Sequence, residues 1–546
     1  MKHASRAAIA AALTLVLAPS SALAEDHRER ADGQEPTSPV QIQLLGINDF
    51  HGALEPSTVA KRLAGGAGFL DAHLNRAAAL NPQGTIRVHA GDMVGASPLI
   101  SSWFHDEPAI KALNTMQFDV GTVGNHEFDE GGEEMLRLIH GGHREDGKQF
   151  KTAPGSDAPQ DTSDPNFEGA NFPYIAANTR YRASGEYVLP PVKVIKRQGE
   201  KIGFIGVTTE DTPNIVLKPM IDPFVVDDIS DTVNKWAARL QKRGVESIVV
   251  LAHSGGFRTS NAAIATGEII DEASEMSDAV DVIVAGHTHS LLNNVVDGKL
   301  IVSAYANGTA FDDVDLKIDP RTHDVASKIA NVPTTWDDEV TPTSDAQAVV
   351  DEYRQKIAPI ADTPVGQAAT TLTRTTAPNQ ADSPLGNVIA DAQRAYAGTD
   401  LAVMNPGGIR DDIQAGEVTY GELFKVQPFD NQLFKFTITG AELKTLIQQG
   451  LDANKILQVS GFTYSANKAA KTFSDLKLSD GSAVQDDKEY TMAANEFVVG
   501  GGDGAAVLKT AAADKTRVSS DLDALVAAFQ GKTVDAPATG RITITA

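Results

Sequence analysis

Gly124-Asn125-His126-Glu127-Phe128-Asp129 follows directly on the apolar run Phe118-Asp119-Val120-Gly121-Thr122-Val123 and packs an amide, an imidazole and a carboxylate into adjoining positions. The run reads as a buried strand feeding a turn. Turns at the carboxyl ends of strands are where open α/β sheets place reactive groups. Alone, the stretch is an ordinary surface pair. Its weight comes from further strand-then-polar-cluster units in the same half of the chain. Residues 40–47 end in Asn48-Asp49-Phe50-His51-Gly52, and 85–90 run into Gly91-Asp92. Residues 247–252 lead into His253-Ser254-Gly255-Gly256, and 282–285 end in Gly286-His287-Thr288-His289. Helical patterns at 132–139 and 230–243 alternate with these strands, which implies a layered α/β fold with a mixed sheet. Residues 141–171, rich in Gly, Asp, Pro and Ser, read as a surface insertion.

The 546 residues exceed what one hydrophobic core supports, so two domains are expected. With 47 basic and 72 acidic residues the formal charge is -25, which argues against a nucleic-acid polymer as partner and against adhesion to anionic membranes. An anionic substrate then needs local positive charge from cations or arginines. Lys2 and Arg6 precede an apolar run at 7–18 that closes on Ala22-Leu23-Ala24, so 1–24 read as a signal peptide. The run is short and alanine-rich, which disfavours a membrane anchor. The expected location is periplasmic or extracellular, with a flexible leader at 25–38. Cysteine is absent, so any metal site must use His, Asp, Glu or Asn.

The strand ends together supply Asp49, His51, Asp92, Asn125, His126, Asp129, His253, His287 and His289. Any one of them is more simply a turn, cap or solvated residue, but recurrence at every strand end favours a metal site. Residues two apart in an extended segment project to one side, so His287 and His289 are expected to face one ion. Imidazole, carboxylate and amide donors without sulfur suit zinc, manganese, iron or cobalt. The donors are too many for one tetrahedral ion, and two divalent ions sharing a carboxylate fit the count.

The series Asp49-Phe50-His51, Gly91-Asp92, Gly124-Asn125-His126-Glu127, Ala252-His253 and Gly286-His287-Thr288-His289 resembles the calcineurin-like metallophosphoesterases. With the C-terminal motifs below, the chain is similar to the secreted 5′-nucleotidase and UDP-sugar hydrolase family. The resemblance implies a four-layer α/β/β/α sandwich at 39–335, a helix-bearing linker at 336–362, and a C-terminal α/β substrate-binding domain at 363–546. It implies one ion on Asp49, His51, Asp92 and His289, and a second on Asp92, Asn125, His253 and His287. His126 is then catalytic rather than a ligand, and Asp129 orients it. Paired cations lower the pKa of a shared water and draw charge from phosphoryl oxygens. A phosphoryl transition state chiefly needs positioned positive charge, to which a protonated His126 would add.

In the second half, 344–358 read as a helix stopped by Pro359, with Val349, Tyr353 and Ile357 at helical spacing. Met404-Asn405-Pro406-Gly407-Gly408-Ile409-Arg410 follows a short strand. Its paired glycines allow close backbone approach to a ligand, and Arg410 can fork onto an anion. Phe429 and Phe497 occur in polar turns beside glycines, where two rings can sandwich a nucleobase. Asn387, in Ser383-Pro384-Leu385-Gly386-Asn387, reads as a cap or brace. The resemblance to the 5′-nucleotidase C-terminal domain implies Phe429 and Phe497 on the base, Asp503 on ribose hydroxyls, Asn405 and Asn431 near the base, and Arg374 and Arg410 on phosphate. Some members carry a second arginine where this chain has Pro378, which leaves less charge for polyphosphate tails. The expected activity is phosphate release from nucleoside 5′-monophosphates, extending to nucleotide sugars or di- and triphosphates. The alternatives are a 2′,3′-cyclic-nucleotide phosphodiesterase with 3′-nucleotidase activity and an inactive nucleotide-binding surface protein.

Overall fold

The computed structural model describes residues 38–545 apart from 153–157, 259–264, 378 and 430. The signal-peptide reading, most of the leader and Pro378 lie outside the described residues. In the first half, the apolar runs are strands covered on both faces. Along Val40–Ile47, Ile42 and Leu44 enter one apolar layer while Leu45 and Ile47 enter another, the period-two alternation of a pleated strand. The layer holding Ile42 and Leu44 also takes Val88, Phe204, Val249, Leu251, Val282 and Val284, so it lies between two six-stranded sheets. Phe204 is fully buried there, and sealing such a ring from water contributes about 1.5–3 kcal/mol.

In the first sheet the order is Asp324–Asn331, Asp312–Asp319, Val40–Ile47, Thr85–His89, Val120–Thr122 and Tyr174–Ile175. The second runs Val192–Arg197, Glu200–Thr208, Ser247–His253, Val282–Ala285, Lys299–Ala304 and Leu291–Val296. In the second sheet parallel strands occupy the middle and antiparallel ones both edges, whereas in the first the antiparallel pairs lie at one edge and the parallel run extends to Tyr174–Ile175, so both sheets are mixed. Helices Ala67–Ala78 and Glu107–Thr115 cover the outside of the first sheet. Ile229–Gln241 and Glu268–Glu275 cover the outside of the second, completing four layers.

A five-stranded sheet centres the second half, in the order Gln458–Ser460, Leu401–Met404, Glu489–Asn495, Gln432–Thr439 and Thr516–Ser520. Helix Pro384–Ala397 packs on it, capped by the Ser383 hydroxyl, which accepts from Gly386 N. Asn387 braces that helix from within, donating to Asp382 and to the Ala538 carbonyl.

Two sequence expectations need correction. Pro359 does not stop the linking helix, which spans Ser344–Ala361 with the proline in its last turn. Buried Ile357 and Ala361 hold that turn, and Lys111 Nζ donates to Tyr353 Oη at 2.8 Å. The second concerns 141–171, which is no simple surface excursion, because part of it walls the cleft described below. One apolar cluster runs from Leu70 and Phe104 through Val350, Tyr353 and Ile357 to Leu385, Leu423 and Leu525. The linking helix is therefore core to both halves. No helix among the described residues is long and apolar enough to cross a membrane.

Asp382 fastens the last strand, accepting from Gly540 N at 3.0 Å, Arg541 N at 3.2 Å and Ile542 N at 3.1 Å. Removing a charged acceptor from partly buried amides is costly, so Asp382→Ala is expected to lose about 3 kcal/mol in urea unfolding. Amide exchange should then accelerate selectively at 540–544.

Candidate active site

Strand register brings the polar loops together. Ile47 lies beside His89, His89 beside Gly121, and Ala252 beside Ala285, so each following turn emerges at the same end of its sheet. Asp49 N donates to Gly91 O and His51 N to Asp92 O, both at 3.0 Å. A Cβ on Gly124 would fall 2.2 Å from Asp92 Oδ1 and 2.7 Å from the His253 ring, so only glycine lets these loops cross. Asp49, His51, Asp92, His287 and His289 all hold left-handed backbone, with φ between 49° and 72°. Such strain persists only where the surroundings enforce it, and it concentrates at functional sites.

Three groups of donor atoms converge: Asp49, His51 and His289; His51, Asp92 and His126; and Asp92, His253 and His287. His289 Nε2 lies 3.2 Å from Asp49 Oδ1 and 3.1 Å from His51 Nε2. His253 Nε2 is 3.0 Å from Asp92 Oδ2. His287 and His289 therefore face different groups. The extended segment expected there is absent, because left-handed backbone at both positions turns the rings apart.

The donor set suits cations. His51 Nδ1 donates to Gly95 O and His253 Nδ1 to Ala90 O, each at 2.8 Å. These bonds leave each Nε2 lone pair aimed inward when the ring is neutral, the usual outer support of a metal ligand. Asn125 Oδ1 is buried without a hydrogen-bond partner, which is costly unless something else satisfies it. Burial disfavours charge on Asp92, yet His253 and His126 hold its carboxyl well below the usual range. Burial also opposes charge on His253, but Asp92 outweighs it and raises the imidazole to about 10. His287 is pushed down to about 3, by burial first and by His253 next.

His126 Nδ1 lies 2.8 Å from Asp129 Oδ2, and His126 N donates to Asp92 Oδ1 at 2.9 Å. Burial alone would depress this imidazole, but Asp129 and Asp92 raise it above the ordinary histidine value. The Phe429 ring stacks on His126 at 5.8 Å and 20°, and the Arg410 guanidinium lies 5.8 Å from the Phe429 centroid. One cavity of about 920 Å³ is lined by Asp92, Asn125, His126, His287 and His289 from the first half. From the second half it takes Arg374, Asn405, Gly407, Arg410, Phe429, Asn431, Phe497 and Asp503. Gly408 does not line it. A Cβ there would meet Met404 Cε at 2.5 Å, so that glycine serves packing. Asn405 Oδ1 accepts from Asn495 Nδ2 at 3.0 Å, and Arg374 Nη1 donates to Ile409 O at 3.1 Å.

Two supporting residues carried no assigned role in the sequence reading. Glu127 accepts from Gly124 N at 2.5 Å, Asp92 N at 2.9 Å and Met93 N at 2.8 Å, clamping two loops together. Asn48 donates to Asp49 Oδ2 at 2.6 Å and to Tyr305 O at 2.7 Å. Both lie within the motifs already quoted, and motif membership was the only signal for them.

The fold and site define a two-domain α/β phosphoesterase. Residues 42–291 match the family described as calcineurin-like phosphoesterase, and 360–510 match the 5′-nucleotidase C-terminal domain. The chain thus carries, in order, regions similar to both domains found in 5′-nucleotidases. Endonuclease YhcR of Bacillus subtilis is 36% identical over 473 residues, which cover 85% of this chain and 37% of that protein. Cell wall protein Lmo0130 of Listeria monocytogenes is 36% identical over 517 residues, covering 86% of this chain and 65% of that one. The chain thus spans about a third and just under two thirds of these two relatives. A 5′-nucleotidase precursor from Thermus thermophilus superposes with a TM-score of 0.77 at 24% identity, covering 92% of this chain and 99% of that one.

Two outcomes follow from the site. With His253 raised to about 10, the metal-free protein holds a proton there at neutral pH that a cation must displace. Calorimetry of Mn²⁺ binding in buffers of differing ionisation enthalpy should show about one proton released, with affinity rising as pH rises. Glu127→Gln turns one acceptor into a donor against the backbone amides and should weaken Mn²⁺ binding by about 10- to 100-fold.

Proposed function

We propose that this protein is an exported phosphohydrolase that releases phosphate from nucleoside 5′-monophosphates, with nucleotide sugars or di- and triphosphates as further substrates. The observation that carries this reading is the shared cleft: the cation-type donor cluster, the His126–Asp129 pair and the Phe429, Phe497 and Arg410 side chains line or adjoin one cavity. Export is supported by the reading of 1–24 and by a relative named as a cell wall protein.

Asp49, His51, Asp92 and His289 would hold one divalent ion, and Asp92, Asn125, His253 and His287 a second, with zinc or manganese both suited to the donors. When bound, such ions supply positive charge to phosphoryl oxygens and lower the pKa of water. The remaining work belongs to side chains. Asp129 fixes the His126 ring through Nδ1 and favours its charged form, leaving the opposite nitrogen to donate to a transferring or departing oxygen. Arg410 and Arg374 offset phosphate charge, with Arg410 placed beside the ring that covers His126. Phe429 and Phe497 offer faces to a base, and Asp503 and the amides of Asn405 and Asn431 address ribose and base edges.

A phosphate-release panel of 5′-AMP, 3′-AMP, 2′,3′-cyclic AMP, ADP and a UDP-sugar, with and without chelator, tests this reading. We expect 5′-AMP to be turned over fastest, chelation to abolish turnover and Mn²⁺ or Zn²⁺ to restore it. Preference for the cyclic or 3′ substrates would transfer the protein to the 2′,3′-cyclic phosphodiesterase class, and no release under any condition would make it a binder. His126→Ala should keep metal by elemental analysis while losing at least about 100-fold in kcat. Phe429→Ala should raise KM about tenfold through lost base stacking.

A further inference from the structure

A second cavity, of about 250 Å³, lies wholly within the second half. Two chain segments separate it from the cleft, and each alternates its residues between the two spaces. Along 405–410, Asn405, Gly407 and Arg410 line the cleft while Pro406 and Ile409 line the smaller cavity. After helix Gly440–Asp452, Lys455 faces the cleft, whereas Asn454 and Ile456 on either side of it face the smaller cavity. Arg374 lines both spaces, and its Nη1 donates to Ile409 O at 3.1 Å, so one guanidinium spans the partition. The floor of the smaller cavity is firmly built. Buried Gln458 Oε1 accepts from Ser383 N at 2.9 Å, and the Ser383 hydroxyl accepts from Gly386 N at 3.0 Å.

Charge in this cavity runs against that of the whole chain. In a protein of formal charge -25, its lining carries two cations, Arg374 and Lys468, and no carboxylate among the described residues. Lys468 stands in the turn between strands Phe462–Asn467 and Thr472–Leu478, and its ammonium makes no ion pair or hydrogen bond among the described residues. The Arg374 fork has donors to spare after its bond to Ile409 O. Pro406, Ile409 and Ile456 make part of the wall apolar. Two positive groups across a partly apolar space suit a small molecule that carries an anionic oxygen group. With about a quarter of the cleft's 920 Å³, the cavity favours a ligand smaller than a nucleotide.

We propose that this cavity is a regulatory site for a small oxyanion, a phosphate or carboxylate group held between Arg374 and Lys468, and that its occupancy weakens nucleotide binding in the cleft. The link is Arg374 together with the 405–410 partition. A guanidinium drawn onto an anion on one side has fewer donors left for a phosphate on the other. Linkage makes the effect reciprocal, so a nucleotide in the cleft loosens the anion by the same factor. The site itself stands on its own lining, while its effect on the cleft rests on the nucleotide reading of Arg374.

The test uses the full metal-loaded chain and its Lys468→Ala and Lys468→Glu variants, with inorganic phosphate, phenylphosphonate and benzoate as calorimetric probes. Lys468 is exposed and lies outside the cleft, so both variants should fold and, without probe, turn over 5′-AMP within about twofold of wild type. Probe affinity should fall about tenfold in Lys468→Ala and further in Lys468→Glu. Lys468-dependent binding of inorganic phosphate supports the site with released product as its occupant. Dependence confined to phenylphosphonate or benzoate supports it with a small organic acid instead. In rate measurements, saturating probe should raise the KM for 5′-AMP about fivefold more in wild type than in Lys468→Glu, which keeps only competition inside the cleft. Absence of Lys468-dependent binding for every probe overturns the proposal, as does an equal rise in KM in wild type and variant. Should 5′-AMP not be hydrolysed at all, the nucleotide reading falls while calorimetry still decides the site.

Discussion

Asp49 and Asp92 are buried beside five imidazoles, in a space where unpaired charge is expensive. Most other features of the first half serve to keep that arrangement from relaxing. Left-handed backbone at five of these positions would unwind in a free loop. Here, strand ends in fixed register, the absent side chain of Gly124 and the Glu127 carboxylate hold the turns against one another. The sandwich of two sheets is the rigid base that makes this possible, because every strand leading to the site is covered on both faces.

The second half completes the chemistry from the outside. It contributes no donor to the three convergent groups, but it lays Phe429 on the His126 ring and places Arg410 within reach of the field of Asp92 and Asp129. One half thus concentrates negative donors and the other brings aromatic faces and positive charge. Their meeting surface is the cleft, so the selection of a ligand and its reaction share one boundary.

Much of this was readable in the sequence, and for a clear reason. Residues 44–47, 248–252 and 282–285 are continuous apolar runs because both strand faces are buried, and each is punctuated by a polar turn. The clusters Asp49 to His51 and Gly286 to His289 advertise themselves by composition. What sequence concealed were effects set by tertiary context. Ordinary strand geometry would send His287 and His289 the same way, but imposed left-handed backbone separates them. Pro359 carries a helix-stopping signal that burial of Ile357 and Ala361 overrides. Glu127 resembles any acidic residue in a turn until its three backbone donors are located. Lys148 to Lys151 sit in a polar, aperiodic stretch whose proximity to the cleft depends on Arg144, an anchor with no local pattern.

The helix Ser344–Ala361 joins the halves in sequence, yet Ala346, Val350, Tyr353 and Ile357 bury it in the apolar cluster that continues into the second half. A gene fragment cut at the apparent end of the catalytic half, near residue 335, would leave a greasy trough where this helix belongs and invite self-association. Dissection, fusion or domain-swapping experiments on this protein therefore need their joint downstream of Ala361. Such a joint keeps the helix on the first half, while the face of it that Leu385, Leu423 and Leu525 extend still needs the second half to cover it.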